Sequence, residues 1–169
     1  MNLLQYSKRQ EERLINKLAD LGVDIIRHYG DREKDKGDVL AGISLGNQSK
    51  IIRFDHKSTR SKSTFTLNCN MLPKLAKECF LNSGDGISHA AISISFLNET
   101  NIYVASFIKV GEQAITLAVT PAKGGKHIKL YRSDLVRNVG INKMMLKFNE
   151  YTAYLYELSQ FVYLVKEGL

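Results

Sequence analysis

Cysteine is scarce in this chain, with only Cys69 and Cys79 among 169 residues. Neither has the paired spacing or neighbouring histidines of a zinc site, so a disulfide framework and a structural metal are both excluded as the basis of the fold. Two free thiols in a reducing compartment are expected. Long hydrophobic runs are missing too, since no stretch approaches the ~18 apolar residues of a membrane span. After Met1, the first ten residues hold apolar side chains only at Leu3, Leu4 and Tyr6, too few for a signal-peptide core. The expectation is a soluble, cytoplasmic protein with no membrane partner. Acidic residues are also in short supply. Seventeen Asp and Glu face 24 Lys and Arg, giving +7 and a pI near 9.4, and such an excess in a small chain favours a polyanionic partner, nucleic acid foremost.

What is present suits one domain. The length lies near the ~150-residue prior for a single domain, and at that size about 70% of the unfolded surface can be buried, in line with 44% hydrophobic content. Residues 7–21 (SKRQEERLINKLADL) read as a helix, with Ser7 as N-cap, Gln10 in capping-box position and Gly22 as stop. Val23 to Arg27 is a short β-type run. Asp38 to Leu45 and Lys50 to Lys57 are strand-like and joined through Gly46-Asn47, a hairpin pair. A helix is expected from Leu72 to Asn82 with Pro73 in its first turn, then strands from His89 to Phe96, Ile102 to Val110 and Ala114 to Val119. Pro121 to Lys126 reads as a flexible break. The predicted class is α/β, a mixed central sheet flanked by helices, with a core over about 7–110 and a C-terminal extension over 111–169. That extension is expected to end in a helix over about 148–166, whose Phe148, Tyr151, Leu155, Leu158, Val162 and Val165 recur at coiled-coil-like spacing. Packing on its own domain and a partner chain are both open for this seam.

The hairpin carries the chemistry. A turn centred between Gly46 and Asn47 pairs Leu45 with Gln48 and, stepping outward, Val39 with Phe54 and Asp38 with Asp55. Directly opposed carboxylates have Cβ atoms ~4.5–5.5 Å apart and repel unless something neutralises them. The two-residue period sets Asp55 and Lys57 on one face and leaves Val39, Ala41, Ile43, Ile52 and Phe54 on the other. A divalent cation between the carboxylates, with an ammonium beside it, is the natural compensation, and Mg²⁺ favours one or two carboxylates plus water and phosphate oxygens. A third acid lies on the first helix. At about 100° per residue from Leu14, Glu11 falls at about 60°, inside the stripe of Leu14, Ile15, Leu18 and Leu21, whereas Glu12 falls at about 160°, at its edge. A carboxylate there is costly unless paired or metal-bound; stabilisation by the helix dipole is the alternative.

Glu11 on the helix, Gly37-Asp38-Val39 opening a strand and Asp55-His56-Lys57 on the next strand resemble the PD-(D/E)XK nucleases of the restriction-endonuclease-like fold. Within them, the segment EERLINKLADLG followed by VDIIR is similar to archaeal Holliday junction resolvases. IIRFDHKSTRSKSTFTL resembles the RecU-type resolvases, in which the acid-x-lysine strand runs into a basic, hydroxyl-rich stretch. The resemblance covers residues 7–108, about 60% of the chain. Gly37 stands where the family usually has proline, and Asp55 where resolvases usually have glutamate.

That resemblance implies a Mg²⁺-dependent endonuclease, with Mn²⁺ able to substitute. Asp38 and Asp55 would hold the metal against the scissile phosphate, the backbone carbonyl of His56 would be a further ligand, and Glu11 would bind a second metal or its water. Lys57 would orient the attacking water. The His56 side chain, on the alternate face, is expected to be packed. Ser58, Thr59, Arg60 and Lys62, with Arg32, Lys34 and Lys36 of the charged loop, would contact DNA phosphates. The implied substrate is the four-way junction, and paired nicking of a two-fold substrate favours a homodimer. A nuclease of ordinary duplex and a nonenzymatic DNA-binding domain are the competing expectations.

Overall fold

The computed structural model describes residues 2–28, 39–68, 87–106, 110, 115–116, 127–138, 146–148 and 151–168. The chain opens with helix α1 (Leu3–Asp20). It starts four residues earlier than the sequence predicts. Asn2, not Ser7, is the N-cap: its side chain accepts from the Gln5 backbone N–H at 2.9 Å while Gln5 reaches back to the Asn2 N–H. The extra turn is held by a tertiary contact, because Tyr6 is buried and its hydroxyl donates to the Thr59 carbonyl at 2.8 Å. Leu14 and Leu18 are fully buried and Ile15 and Leu21 pack beside them, which is the predicted apolar stripe. Gly22, at φ +77°, closes the helix in the left-handed conformation that glycine adopts without strain.

Strand β1 (Asp24–His28) pairs antiparallel with β2 (Val39–Leu45), which forms the predicted hairpin with β3 (Gln48–Ser58). The register runs from Leu45 opposite Gln48 to Val39 opposite Phe54, as the turn chemistry dictates. Gly46 has φ +60° and Asn47 does not share a positive φ, the two-residue turn with glycine first whose twist matches the strands. β4 (Thr64–Asn68) leaves this sheet and pairs with β8 (His127–Tyr131) in a separate two-stranded ribbon, from which α2 (Arg132–Asn138) continues. β3 lies parallel to β5 (Ile87–Ser95), which turns back into β6 (Ile102–Ser106). β7 (Ile115–Thr116) and β9 (Leu146–Phe148) both pair with β10 (Tyr151–Glu157), which lies beside β6. The central sheet is therefore mixed, in the order β1-β2-β3-β5-β6-β10-β7. The predicted helix at 72–82 and the break at 121–126 lie outside the described residues.

The predicted helix over 148–166 is corrected to β10 followed by α3 (Leu158–Glu167). Tyr151 to Glu157 alternates in the β-rich run YTAYLYE and completes the sheet, so this part of the C-terminal segment is built into the core. Of the two readings open for the seam, packing on its own domain is the one observed: Leu155, Leu158, Val162 and Val165 are at most 2% exposed. α1 and α3 lie on the same sheet face, where Leu14, Leu18, Phe161, Val162 and Val165 enclose Val39, Ala41, Ile52, Phe54, Val104 and Tyr156 in one cluster. Phe161 meets the edges of Phe54 and Tyr156, at ring distances of 6.2 and 5.4 Å, a geometry that adds to plain area burial. The Lys166 ammonium donates to the Leu21 carbonyl at 2.6 Å and ties the two helices together at their C-terminal ends. Among the described residues no helix is long and apolar enough to cross a membrane.

Candidate active site on strand β3

Alternation along β3 gives it two different faces. Ile52, Phe54 and His56 point toward the helices; Arg53, Asp55 and Lys57 occupy the opposite face. On that opposite face the neighbouring β5 residues Ile92 and Ile94, which pair with Asp55 and Lys57, are fully buried and form an apolar floor. Asp55 and Lys57 reopen to solvent at 20% and 37% side-chain exposure, and the Lys57 ammonium lies 3.3 Å from Asp55 Oδ1. An ion pair this exposed contributes about 0.2–1 kcal/mol to stability, so folding alone does not account for placing it over an apolar floor. Two residues apart on one strand face, an ammonium can meet a phosphate directly and a carboxylate can meet it across a shared cation.

His56 sits between them in sequence and faces away. It is 6% exposed, with Nδ1 2.7 Å from Ser93 Oγ and Nε2 3.2 Å from Ser95 Oγ. Burial, reinforced by Arg13 and Lys57, lowers its pKa to about 3, so the imidazole is neutral at physiological pH and stitches β3 to β5. This is the packed role expected of it, and it fixes the backbone of the two residues on either side.

Glu11 emerges on the flank of α1 toward β1, where its Oε2 is 3.1 Å from His28 Nε2. Glu11 is half-buried and Glu12 exposed, in agreement with the predicted helix phase. The described partner of Glu11 is therefore His28, whereas Asp55 pairs with Lys57 on the face turned away from α1. Asp38, Arg32, Lys34 and Lys36 lie outside the described residues. Among the described residues no three His, Cys, Asp or Glu side chains form a metal cluster. The donors that are present suit a hard cation: Asp55 offers a partly exposed carboxylate, the coordination chemistry Mg²⁺ favours when waters and phosphate oxygens complete its shell.

The basic stretch after β3 is held rigidly. Thr59 N–H donates to the Ser95 carbonyl, Leu97 N–H to the Ser61 carbonyl and Arg132 N–H to the Ser63 carbonyl, at 2.8–3.1 Å. Ser61 Oγ accepts from the backbone N–H groups of Ser63 and Thr64, and Thr59 Oγ1 from that of Ser61. The hydroxyls of Thr59 and Ser61 thus shape the loop. Arg60 and Lys62 are exposed, with the Arg60 guanidinium 5.4 Å from the centre of the Tyr6 ring. Sequence reading did not single out Tyr6, nor the cations Arg9, Arg13 and Lys17 of α1. Their four-residue recurrence was the available signal, because it sets them on one flank of the helix.

No protein-family model matches the chain, and no curated protein matches it. The structure is similar to that of Hjc from Archaeoglobus fulgidus, described as a Holliday junction resolvase from an archaeal hyperthermophile. The TM-score is 0.47 at 16% identity, with 74% of this chain and 86% of that chain covered.

Proposed function

We propose that the protein is a metal-dependent DNA endonuclease that resolves four-way junctions by paired hydrolytic nicks. The observation that supports this most is the β2–β3 register. It runs without a slip to Val39 opposite Phe54, in keeping with the sequence spacing in which a continued hairpin would set Asp38 against Asp55, and Asp55 has Lys57 3.3 Å away on the same face. A fold that needed only a basic surface gains nothing from a carboxylate in the middle of it.

In this reading Asp38 and Asp55 hold Mg²⁺, or Mn²⁺ in its place, with the His56 carbonyl as a further ligand and Glu11 serving a second ion or its water. The bound metal supplies charge stabilisation and a more acidic water. Lys57 orients that water beside the scissile phosphate and offsets the negative charge that develops there. His56 stays neutral and keeps the strand in register. Ser58 and Thr59 donate hydroxyl hydrogen bonds to flanking phosphates, which Arg60 and Lys62, together with Arg32, Lys34 and Lys36, neutralise, and none of these contacts carries sequence information. Paired nicking calls for two such sites, so the working form is a homodimer; with the α3 seam buried, its interface is another surface.

The test is incubation with Mg²⁺ and labelled four-way junction, linear duplex and single strands, side by side. Symmetric incision of the junction at protein concentrations that spare the others is expected, lost with chelator and with Asp55→Asn. Equal cutting of duplex and junction would reduce the activity to that of a general nuclease. Binding without cutting in either metal would leave a DNA-binding domain and overturn the proposal.

A further inference from the structure

A second basic surface lies away from β3. At about 100° per residue, Tyr6, Arg9, Arg13 and Lys17 fall within about 80° of one another on the flank of α1 opposite Glu11. Tyr6, Arg9 and Arg13 border a cleft of about 430 Å³ closed on its far side by the turn between β5 and β6, with Asn98 and Glu99 at its rim; Lys17, the next cation along the flank, donates to the Thr100 carbonyl of that turn. Arg13 is fixed in its wall: Nη1 donates to Gln10 Oε1 at 3.0 Å and Nη2 to the Glu99 carbonyl. Two of its five N–H groups are used in this way, and the guanidinium is held in place with donors left over. Arg9 is exposed and in no ion pair among the described residues. The carboxylate at the rim, Glu99, is neutralised from the other side by Arg132 and by the Asn101 N–H. The cleft thus keeps net positive charge. Its turn is hydrogen-bonded to the basic loop after β3 through Leu97 N–H and the Ser61 carbonyl, and Tyr6 touches both, so cleft and loop form one rigid surface.

We infer that this cleft is a second phosphate-binding site, in which Arg9 and Arg13 hold a backbone phosphodiester of the nucleic acid at a distance from the cleavage centre. The choice of phosphodiester over other anions rests on the nuclease reading; the cleft's charge does not. A fixed guanidinium fork beside an exposed one is the arrangement that grips a phosphate oxygen pair.

The experiment measures binding and cleavage separately. Fluorescence anisotropy of the full chain with labelled duplex and four-way junction is run in chelator, without metal, across a salt series. Arg9→Ala should weaken binding about three- to tenfold at 0.1 M salt and flatten the slope of log Kd against log salt by about one. Arg9→Glu should weaken it further. Arg13→Lys, which keeps the charge, should weaken it less than Arg13→Ala, with melting temperature checked because Arg13 also braces the turn. Arg9 is exposed, so its variants keep the test sound if Arg13→Ala unfolds. Unchanged affinity and slope for both Arg9 variants overturn the inference, as does a wild-type chain that binds no nucleic acid. A wild type that binds with an Arg9-dependent slope but never cuts would overturn the nuclease reading and uphold the cleft; cutting with an Arg9-independent slope would do the reverse.

Discussion

The end of β3 obeys opposite rules on its two faces, although they alternate within the six residues from Ile52 to Lys57. Toward the helices, Ile52, Phe54 and His56 are at most 6% exposed. Even the polar member of that row is neutral and doubly hydrogen-bonded. On the other face, Asp55 and Lys57 reach solvent and pair loosely above Ile92 and Ile94. The inner row is what the fold needs, since its side chains would leave cavities or unpaired serines if removed. Of the outer row Arg53 is buried as well, and only the solvent-reaching pair of Asp55 and Lys57 is expendable for folding. A strand that spends one face on stability and holds charge at the end of the other separates what a mutation does to the fold from what it does to chemistry.

The largest effects should appear where that separation is sharpest. Phe54→Ala is expected to lose about 3–5 kcal/mol in chemical denaturation, the usual result of emptying a closely packed aromatic site. Asp55→Asn should leave the denaturation midpoint within ~0.5 kcal/mol of wild type and lower cleavage about a thousandfold, with DNA binding equal or tighter because negative charge beside phosphate is gone. A midpoint that falls as far for Asp55→Asn as for Phe54→Ala would erase the distinction between the faces. Leu158→Glu belongs with the inner row. It buries a charge in the chain's own core, so the expected result is loss of folding and not a folded monomer.

Acid should act next, and on the inner face. His56 and His89 have folded pKa values lowered to about 3 and about 4, in both cases mainly by burial, against an ordinary value near 6.5. The unfolded chain therefore binds protons that the folded chain refuses. Their contribution to stability is whole above pH ~6.5 and is lost progressively as pH falls toward 4 and 3. Melting temperature should drop between pH 7 and pH 4. His56→Gln should start from a lower value, because Ser93 and Ser95 lose a matched partner, yet fall less steeply. Equal slopes would show that His56 is not the group being titrated.

The hairpin and the phase of α1 were legible because both follow from local rules: a glycine-first turn fixes register, and 3.6-residue periodicity fixes which of Glu11 and Glu12 turns inward. The start of α1 was not legible, since Asn2 and Ser7 each stand three residues before a glutamine and only the contact between Tyr6 and Thr59 decides between them. The C-terminal segment failed for a related reason. Phe148, Tyr151, Leu155 and Leu158 fit a helical spacing, but Tyr154 and Tyr156 fit a strand equally well, and pairing with β6 settles the matter. β4 was hidden among hydroxyls that also suit phosphate contacts. At the candidate site, the Asp55–Lys57 pair and the inward His56 followed from alternation, whereas the cations of α1 become a site only when the β5–β6 turn closes the cleft beside them.

Finer still is the comparison of the two acids on α1. Glu11→Gln should reduce cleavage by more than Glu12→Gln, because Glu11 is half-buried against His28 whereas Glu12 is exposed. Parallel cleavage rates at saturating Mg²⁺ check it, and a greater loss from Glu12→Gln would mean that the α1 contribution comes from the helix surface and not from its inward flank.

The smallest expected effect concerns the loop that continues β3. Arg60 and Lys62 are exposed cations on a segment whose backbone is pinned at Thr59, Ser61 and Ser63, so removing either charge should leave the loop's shape intact. If each neutralises one phosphate, its replacement by alanine releases one counterion fewer on binding, and the slope of log Kd against log salt should shrink by about one for each. Affinity at moderate salt should fall only a few-fold, alike for duplex and junction, because a phosphate contact carries no sequence information. Arg60→Ala also strips the cation from the Tyr6 ring, so its melting temperature provides the control: a slope change without a melting change assigns Arg60 to DNA, and a melting change without a slope change assigns it to Tyr6. For Lys62, with no such ring contact among the described residues, an unchanged slope would return it to the solvated surface and leave the phosphates to Arg60 and the cleft on α1.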